Sequence, residues 1–91
     1  MLPVLWSDEA SLDLVEIIDF IEQPNTLAAH RLLTDIIAAA EQLAHMPELF
    51  RPGRVSGTRE CVVHPNYVLV YRVGVSSVDL LRVLHARQKY P

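Results

Sequence analysis

The first part of the chain carries a helical pattern of apolar residues. Between Ser7 and Pro24, apolar side chains recur at intervals of three and four, which places them on one face of a helix: Ala10, Leu14, Ile17, Ile18 and Ile21. Ser7 has the chemistry of an N-cap, and two acids follow it where the helix dipole favours negative charge. Because the residue before a proline is disfavoured in a helix, this helix is predicted to end near Gln23.

A second apolar stripe follows directly. Asn25 or Thr26 can cap it, and Pro47 ends it. Its apolar positions again follow a helical period: Ala29, Leu32, Leu33, Ile36, Ile37, Ala40 and Leu43. Since only a few residues separate the two helices, they are predicted to pack antiparallel as a helical hairpin.

The period changes to two in the second half. Residues 2–6 predict a short strand before the hairpin, and residues 48–57, which hold Pro52 and two glycines without a period, predict a loop. Three β-branched and apolar runs follow at 58–64, 67–73 and 78–85, separated by turn signals. They predict an antiparallel meander. The expected fold is α+β: a short N-terminal strand, an antiparallel α-hairpin and a three-stranded antiparallel curved sheet, in one domain over 1–91.

Opposite charges indicate the strand register. Arg72 is expected opposite Asp79, and Arg59 opposite Tyr71. Strict alternation then gives one face with Arg59, Cys61, Tyr67, Leu69, Tyr71, Leu80, Arg82 and Leu84. The other face has Val62, Val68, Val70, Leu81, Val83 and His85. Because the second face is more apolar, it is predicted to lie under the helical hairpin.

Composition narrows the class of protein. With 51% hydrophobic and 21% charged residues, the chain is not a disordered tail. Its longest all-apolar run, 36–40, is far shorter than the roughly 20 residues of a membrane span. The amino end lacks the basic region of a signal peptide, and a single cysteine, Cys61, fits a reducing compartment. We therefore expect a cytoplasmic protein without a membrane partner.

Charge is unevenly distributed along the chain. Residues 1–45 carry eight acids and one base (−7), and residues 46–91 carry seven bases and three acids (+4), which sum to the net charge of −3. This asymmetry is typical of a bipolar molecule whose carboxyl half meets an anionic partner, although attraction within the monomer explains it equally well. The negative total argues against binding nucleic acid mainly through phosphates, so no direct sequence-specific nucleic-acid binding by the chain alone is expected.

One cluster of residues suggests chemistry. The four histidines are widely spaced and Cys61 has no neighbour at ligand spacing, so neither a metal nor a cofactor is expected. The remaining set is basic and aromatic: Arg59, Arg72, Arg82, His85, Arg87, Lys89 and Tyr90. These residue types can stabilise a phosphodiester in a metal-free ribonuclease, dock an acidic protein, or pair within the sheet. The residues alone leave these interpretations open.

Several motifs carry a family resemblance. They are Gly57-Thr-Arg-Glu60, Asn66-Tyr-Val-Leu-Val-Tyr-Arg-Val73 and Leu81-Arg-Val-Leu-His85. With the predicted order of elements, they resemble the RelE/ParE superfamily of bacterial type II toxins over the whole chain. The opening Met1-Leu-Pro-Val-Leu-Trp6 and the turn His64-Pro-Asn-Tyr67 are most similar to ParE-like members. The resemblance implies a cytoplasmic toxin that is neutralised by an antitoxin from the adjacent gene.

The superfamily has two main activities. RelE-like members cleave messenger RNA in the ribosome, and ParE-like members are generally described as poisons of DNA gyrase. RelE-like members carry an arginine where this chain has Val68, and lysines on the preceding strand, where this chain has none. Arg87 and Tyr90 do match positions of the ribonuclease branch. Together with the acidic total, these departures favour a ParE-like, non-enzymatic toxin that binds gyrase; an mRNA endonuclease and an inert antitoxin-binding member are the alternatives.

The expected site residues follow from this choice. We expect contact with the target from Arg59, Tyr71, Arg82, Arg87 and Lys89. A ribonuclease would instead use Arg82, His85, Arg87 and Tyr90. Three large apolar residues, for which core packing is the default explanation, are candidates for the antitoxin contact: Trp6, Phe20 and Phe50.

Overall fold

A computed structural model describes residues 1–88. Its elements are β1 (Val4–Trp6), α1 (Asp8–Glu22), α2 (Thr26–His45), β2 (Arg51–Pro52), β3 (Arg59–His64), β4 (Tyr67–Val73) and β5 (Val78–His85). The predicted α+β order of strand, helical hairpin and antiparallel meander is confirmed. Lys89 and Tyr90, which belong to the predicted sites, lie outside the described residues.

Side-chain caps fix where both helices begin. The Oγ of Ser7 accepts the N–H of Ala10 at 3.0 Å, and the Oδ1 of Asn25 accepts the N–H of Ala28 at 3.0 Å. Each bond satisfies an N–H group of the first turn that has no partner within the helix. The short α1–α2 connection therefore follows from the capping side chain of Asn25 and from Pro24 before it.

The sheet has five strands in the order β1-β5-β4-β3-β2. β1 runs parallel to β5, and β2 runs antiparallel to β3. The segment 48–57 was expected to be a loop throughout, and that expectation is wrong for β2, in which Arg51 lies opposite Glu60. Two residues are too few to show an alternating pattern, so this strand leaves no signal in the sequence.

The hairpin covers the face of the sheet opposite to the one predicted. The core beneath the helices contains Cys61, Leu69, Tyr71 and Leu80 from the sheet, and we call this side the inner face. A separate cluster, Val68, Val70 and Leu84, lies on the outer face. The prediction that Val62, Val68 and Val70 lie under the hairpin is therefore wrong. The prediction compared the number of aliphatic residues on the two faces. It therefore underestimated the apolar surface of the inner face, to which the fully buried Tyr71 side chain contributes.

A β-bulge at Leu81 reverses the faces within β5. Tyr71 lies opposite Leu80, but Val70 lies opposite Arg82, so Leu81 is an extra residue on β5. Beyond the bulge, Val83 joins the inner core and Leu84 the outer cluster, the reverse of the predicted alternation. The expected pairings of Arg72 with Asp79 and of Arg59 with Tyr71 are confirmed.

Candidate target-binding face

Arg59 and Tyr71 hold the segment after α2 against the sheet. The guanidinium of Arg59 donates to the carbonyl oxygens of Glu48 at 3.1 Å and Phe50 at 2.8 Å. The hydroxyl of Tyr71 donates to the carbonyl oxygen of Pro47 at 2.6 Å, and the Phe50 ring packs edge-on against the Tyr71 ring. Tyr71 is 0% exposed, so it presents no surface to a partner in this conformation.

Burial also changes the acidity of this tyrosine. Removal of the phenol from water raises the pKa of Tyr71 to about 12, and the positive charge of Arg59 opposes this effect only in part. Tyr71 is therefore neutral at physiological pH and acts as a hydrogen-bond donor.

Arg82 is bound to the first helix. Its Nε donates to Oδ2 of Asp13 at 2.7 Å, and its Nη2 donates to Oδ1 at 2.9 Å. The same carboxylate accepts the backbone N–H of Val83 at 3.0 Å. The hydrogen bonds to Asp13 raise the pKa of Arg82 above its ordinary value. The guanidinium is thus committed to an internal bidentate pair.

The start of α1 also closes the edge of β5. The N–H of Ser7 donates to the carbonyl of Leu80 at 2.9 Å, and the Ser7 hydroxyl donates to the carbonyl of Leu81 at 2.8 Å. The side chain of Asp13 accepts a hydrogen bond from the backbone N–H of Val83. Ser7 and Asp13 therefore provide hydrogen-bond partners for the β5 backbone from Leu80 to Val83, where β1 ends.

A buried carboxylate organises the arginines on the outer face. Glu60 is 4% exposed, and its Oε1 accepts a bond from Nε of Arg51 at 2.9 Å. Nε of Arg54 lies 3.8 Å from the other oxygen, and Nη1 of Arg54 donates to the carbonyl of Gln88 at 3.1 Å. Arg54 thereby links β3 to the segment after β5 across the outer face.

Two further arginines are exposed. Among residues 1–88, the side chains of Arg72 and Arg87 have neither a hydrogen bond nor an ion pair, although Arg72 faces Asp79 in register. The carboxylate of Asp79 accepts instead from the Ser77 hydroxyl at 2.8 Å. We call the set Arg51, Arg54, Arg72 and Arg87 the arginine face.

Two of the predicted ribonuclease residues, Arg82 and His85, lie on opposite sides of the sheet. Arg82 lies opposite Val70 of the outer cluster, whereas His85 lies opposite Tyr67 on the inner side, with ring centroids 5.5 Å apart. Nδ1 of His85 accepts a hydrogen bond from the backbone N–H of Arg87 at 3.1 Å. Of this set, His85 and Arg87 are joined by this backbone hydrogen bond, Arg82 faces the other side, and Tyr90 lies beyond the described part of the chain.

The three residues expected to contact an antitoxin have different surroundings. Phe20 is 82% exposed on α1. Phe50 is half-buried against Tyr71, and Trp6 is half-buried against the inner core while also lining a groove beside β1. Phe20 is therefore a surface residue in the structure, and Phe50 is mainly a packing residue.

Nearly the whole chain matches a model of a known protein family. Residues 4–90 match the family model described as the ParE toxin of the type II toxin-antitoxin system, parDE. This chain belongs to the ParE toxin family.

Two curated relatives of the chain are also named as toxins. This ParE-family toxin is 37% identical over 89 residues to "Putative toxin Y4kP" of Sinorhizobium fredii, an alignment that covers 97% of the chain and 92% of the relative. It is 40% identical over 86 residues to "Toxin RelE2" of Caulobacter vibrioides, with coverage of 94% and 97%. One of these relatives is thus named only as a putative toxin, and the other is named as a RelE toxin.

A solved toxin-antitoxin structure contains a chain with the same fold. The ParE-family toxin superposes with a TM-score of 0.83 on a chain of the chromosomal ParDE toxin-antitoxin system from P. aeruginosa, at 22% identity, covering 93% of this chain and 96% of that one. Within residues 1–88, no helix of the toxin is both long and apolar enough to cross a bilayer, and no group of His, Cys, Asp and Glu side chains is placed to hold a metal ion.

Sequence reasoning missed several residues that organise the site in this toxin. Asp13 looks like one more solvated acid of α1, and nothing in the helical pattern separates it from Glu9 or Glu16. Glu60 follows Arg59 in the motif Gly57-Thr-Arg-Glu60, but its burial depends on β2, which the sequence did not reveal. The available signal was the opposite charge of Arg51.

Proposed function

We propose that this protein is a toxin that arrests bacterial growth by binding DNA gyrase without cleaving RNA, and that a cognate antitoxin neutralises it in the cytoplasm. The observation that carries the proposal is the separation of Arg82 from His85 on opposite sides of the sheet. A general acid or base and a charge-stabilising arginine must reach the same phosphodiester to cleave it. The bidentate pair with Asp13 further removes Arg82 from such a role.

The arginine face is the proposed target-binding surface. Arg72 and Arg87 have exposed guanidinium groups that an acidic surface of the target can pair with, and Lys89 extends the same basic segment of sequence. Arg59 and Tyr71 contribute indirectly, because they position the segment after α2 beside Arg51. Charge-assisted bonds of this type favour a protein target with exposed carboxylates over a purely apolar one.

Two observations favour the endonuclease as a second candidate. One of the relatives is named toxin RelE2. In addition, His85 and Arg87 are adjacent, with the Nδ1 of the histidine fixed by the backbone of the arginine. An inert family member that only binds antitoxin remains the third candidate, and growth experiments separate all three.

The test begins with inducible expression of the chain without antitoxin. The proposal predicts growth arrest with an SOS response and gyrase-linked DNA breaks, while amino-acid incorporation continues at first. Arg72→Gln and Arg87→Gln should each weaken the arrest, because they remove exposed charges of the arginine face. Arg31→Gln, which removes an exposed arginine of α2, is the matched control and should leave the arrest unchanged.

Reconstituted assays decide between the targets. Purified toxin should inhibit supercoiling by gyrase and leave message on translating ribosomes intact. Cleaved message within minutes of addition to ribosomes, abolished by His85→Ala, would establish the endonuclease instead. Unchanged growth with confirmed soluble expression would rule out both toxin activities.

A further inference from the structure

One side of α1 is exposed and carries both acids and large apolar side chains. Leu12, Val15 and Phe20 are 58%, 55% and 82% exposed, whereas Ile17 and Ile18 pack against the inner core. Four exposed acids of the same helix surround these apolar residues: Asp8, Glu9, Glu16 and Asp19. The acids and the apolar residues recur together at intervals of three and four, so they share one side of the helix. We call this set the α1 face.

The arginine face carries the opposite charge on the outer side of the sheet. Arg72 follows the inward-facing Tyr71 on β4, so strand alternation places it on that side. Arg51 and Arg54 keep 58% and 45% of their side chains exposed, although both lie beside a buried carboxylate. Val62, which pairs with a residue of the outer cluster, is 51% exposed. Exposed guanidinium groups and an exposed apolar side chain therefore lie together here, as acids and apolar side chains do on the α1 face.

The two faces also have similar lengths. Asp8 and Asp19 are separated by about 16 Å along the helix. Arg72 lies near one end of β4, and Arg87 lies shortly after His85, which pairs with the first residue of that strand. The length of β4 therefore separates these two arginines by about 17 Å. The acids of one α1 face can thus meet the arginines along the whole of an arginine face.

Within one molecule these two faces cannot meet. α1 packs on the inner face of the sheet against β5, and the α1 face points away from that contact. The arginine face lies on the other side of the sheet. The pair between Arg82 and Asp13 joins the helix to the sheet at the edge of β5 and uses a residue of neither face. A contact between the two opposite charges therefore requires a second molecule.

We propose that this protein self-associates head to tail, with the α1 face of one copy covering the arginine face of the next. Two identical faces do not pair, because acids would meet acids or arginines would meet arginines. A head-to-tail contact does not close on itself, so copies add to open chains as the concentration rises. Every copy whose arginine face is covered is withdrawn from other anionic partners. The contact depends only on surfaces of this chain and holds whether or not gyrase is the target.

The size of α1 sets the strength of this contact. The helix has 15 residues. It is therefore about 22 Å long and about 10 Å wide and can cover roughly 200 Å² of a partner. Specific, stable complexes bury more than about 1,200 Å² in total, so this contact is weak, with a Kd of about 10–100 μM at low salt. Salt should weaken it further, because the charges that attract each other are exposed.

Sedimentation velocity of the full 91-residue chain tests the contact. In about 20 mM NaCl the sedimentation coefficient should rise with protein concentration up to about 200 μM, and about 0.5 M NaCl should return it to the value of the monomer. Glu16→Gln/Asp19→Asn should raise the Kd of self-association about tenfold. Asp35→Asn/Glu41→Gln removes two acids from α2 instead and should raise it less than about twofold. A chain that stays monomeric at low salt, or equal effects of the two double variants, would overturn the proposal.

Mixing two variants distinguishes the head-to-tail contact from a symmetric dimer. Arg72→Gln/Arg87→Gln removes charge from the arginine face and keeps the α1 face, whereas Glu16→Gln/Asp19→Asn does the reverse. Each variant alone should associate about tenfold more weakly than the unmodified chain. An equimolar mixture should regain the original affinity but stop at heterodimers, because each pair of molecules has only one intact contact. A mixture that associates no more than its separate components would refute the head-to-tail arrangement.

A further pair of variants tests the apolar part of the contact without changing any charge. Phe20→Ser should raise the Kd of self-association about fivefold, since an exposed ring at the centre of the contact is lost. Leu27→Ser, which replaces an exposed apolar residue of α2, is the matched control and should leave the Kd unchanged. Equal effects of these two variants would place the contact elsewhere and overturn the proposal.

Cell growth separates this inference from the proposed function. Glu16→Gln/Asp19→Asn should still arrest growth, because its arginine face is intact. Weakened self-association with retained arrest is the expected result. Growth arrest by an unmodified chain that remains monomeric would refute the head-to-tail contact alone. Self-association of an unmodified chain that leaves growth unchanged would refute the proposed function alone.

Discussion

Tyr71 illustrates how a polar side chain can serve as a core residue. Its ring is fully buried under the hairpin, and its hydroxyl reaches the carbonyl of Pro47 where α2 ends. Arg59, opposite it on β3, bonds the next carbonyls of the same segment. The sequence analysis expected both residues to contact the target and placed them on the face predicted to lie away from the hairpin. The structure shows that they close the junction between the helices and the sheet.

The buried phenol makes stability dependent on alkaline pH. The pKa of Tyr71 is raised to about 12 in the folded protein, against about 10 in an unfolded chain. The neutral form is therefore favoured by folding, and this contribution is complete below pH 10 and is lost as the pH rises from 10 through 12. We expect a loss of about 2–3 kcal/mol from the free energy of unfolding over that range.

Two measurements test this expectation. Absorbance at 295 nm should show a late tyrosine ionisation near pH 12, and Tyr71→Phe should remove that late phase. In urea unfolding, the free energy of unfolding of Tyr71→Phe should fall less between pH 10 and pH 12 than that of the unmodified chain. Tyr67→Phe, at a half-buried position on the same strand, serves as the control and should retain the late phase.

The contact between α1 and β5 is the main electrostatic connection between the helical hairpin and the sheet in the described part of the chain. Asp13 alone accepts three hydrogen bonds, two from Arg82 and one from the backbone of Val83. Solvent weakens the ion pair, because the Arg82 side chain is 40% exposed. Without the Asp13 carboxylate, however, the Val83 N–H would lose its hydrogen-bond acceptor entirely.

Replacing this aspartate should therefore destabilise the fold. We expect Asp13→Ala to lower the free energy of unfolding by about 2 kcal/mol, as measured by urea denaturation. Asp19→Ala, at an exposed position on the same helix, should change it by less than about 0.5 kcal/mol. Equal losses in the two variants would mean that the Asp13 contacts contribute little.

The serine before α1 has two functions at once. It caps the helix through Ala10 and donates its hydroxyl hydrogen to the carbonyl of Leu81. Ser7→Ala should cost about 1–2 kcal/mol in thermal or urea unfolding, because both bonds are lost. Ser11→Ala, exposed in the same helix, should be nearly neutral. A Ser7→Ala variant as stable as Ser11→Ala would contradict this account.

The elements were largely predictable, whereas their arrangement was less so. Helical spacing and the prolines at 24 and 47 located both helices, and the alternating runs located β4 and β5 at their observed bounds. The parallel pairing of β1 with β5 depends on contacts more than seventy residues apart, which no local pattern contains. The bulge at Leu81 was equally invisible, because an inserted residue in an apolar run looks like an uninterrupted strand. The candidate site was predictable to the same extent. Its residue types could be recognised in the sequence, but the pairing of Arg82 with Asp13 depends on the three-dimensional fold.

As a whole, the molecule is electrostatically two-sided. The exposed acids of α1 and α2 lie on the helical layer, and the arginine face belongs to the sheet and its connecting segments. The charge asymmetry between the two halves of the sequence is therefore spatial, and the internal Arg82–Asp13 pair neutralises only a small part of it. Such a molecule can bind an anionic surface even though its net charge is −3.

Chromatography can measure this property directly. At pH 7 the protein should be retained on a heparin column at low salt, despite its calculated pI of about 5.7. Arg72→Gln and Arg87→Gln should each elute at lower salt. Arg31→Gln changes the net charge equally on the helical layer and should elute with the unmodified protein. Flow-through of the unmodified chain, or an equal shift for Arg31→Gln, would argue against an organised arginine face.

The extra residue in β5 has a consequence for comparing this chain with its relatives. Residues of β5 before Leu81 and after it are out of step by one position, so a relative without that insertion needs an alignment gap there. An ungapped alignment would match the outward-facing Arg82 and Leu84 with inward-facing positions of the relative, and Val83 and His85 with outward-facing ones. Functional residues transferred from such an alignment would then be assigned to the wrong side of the protein.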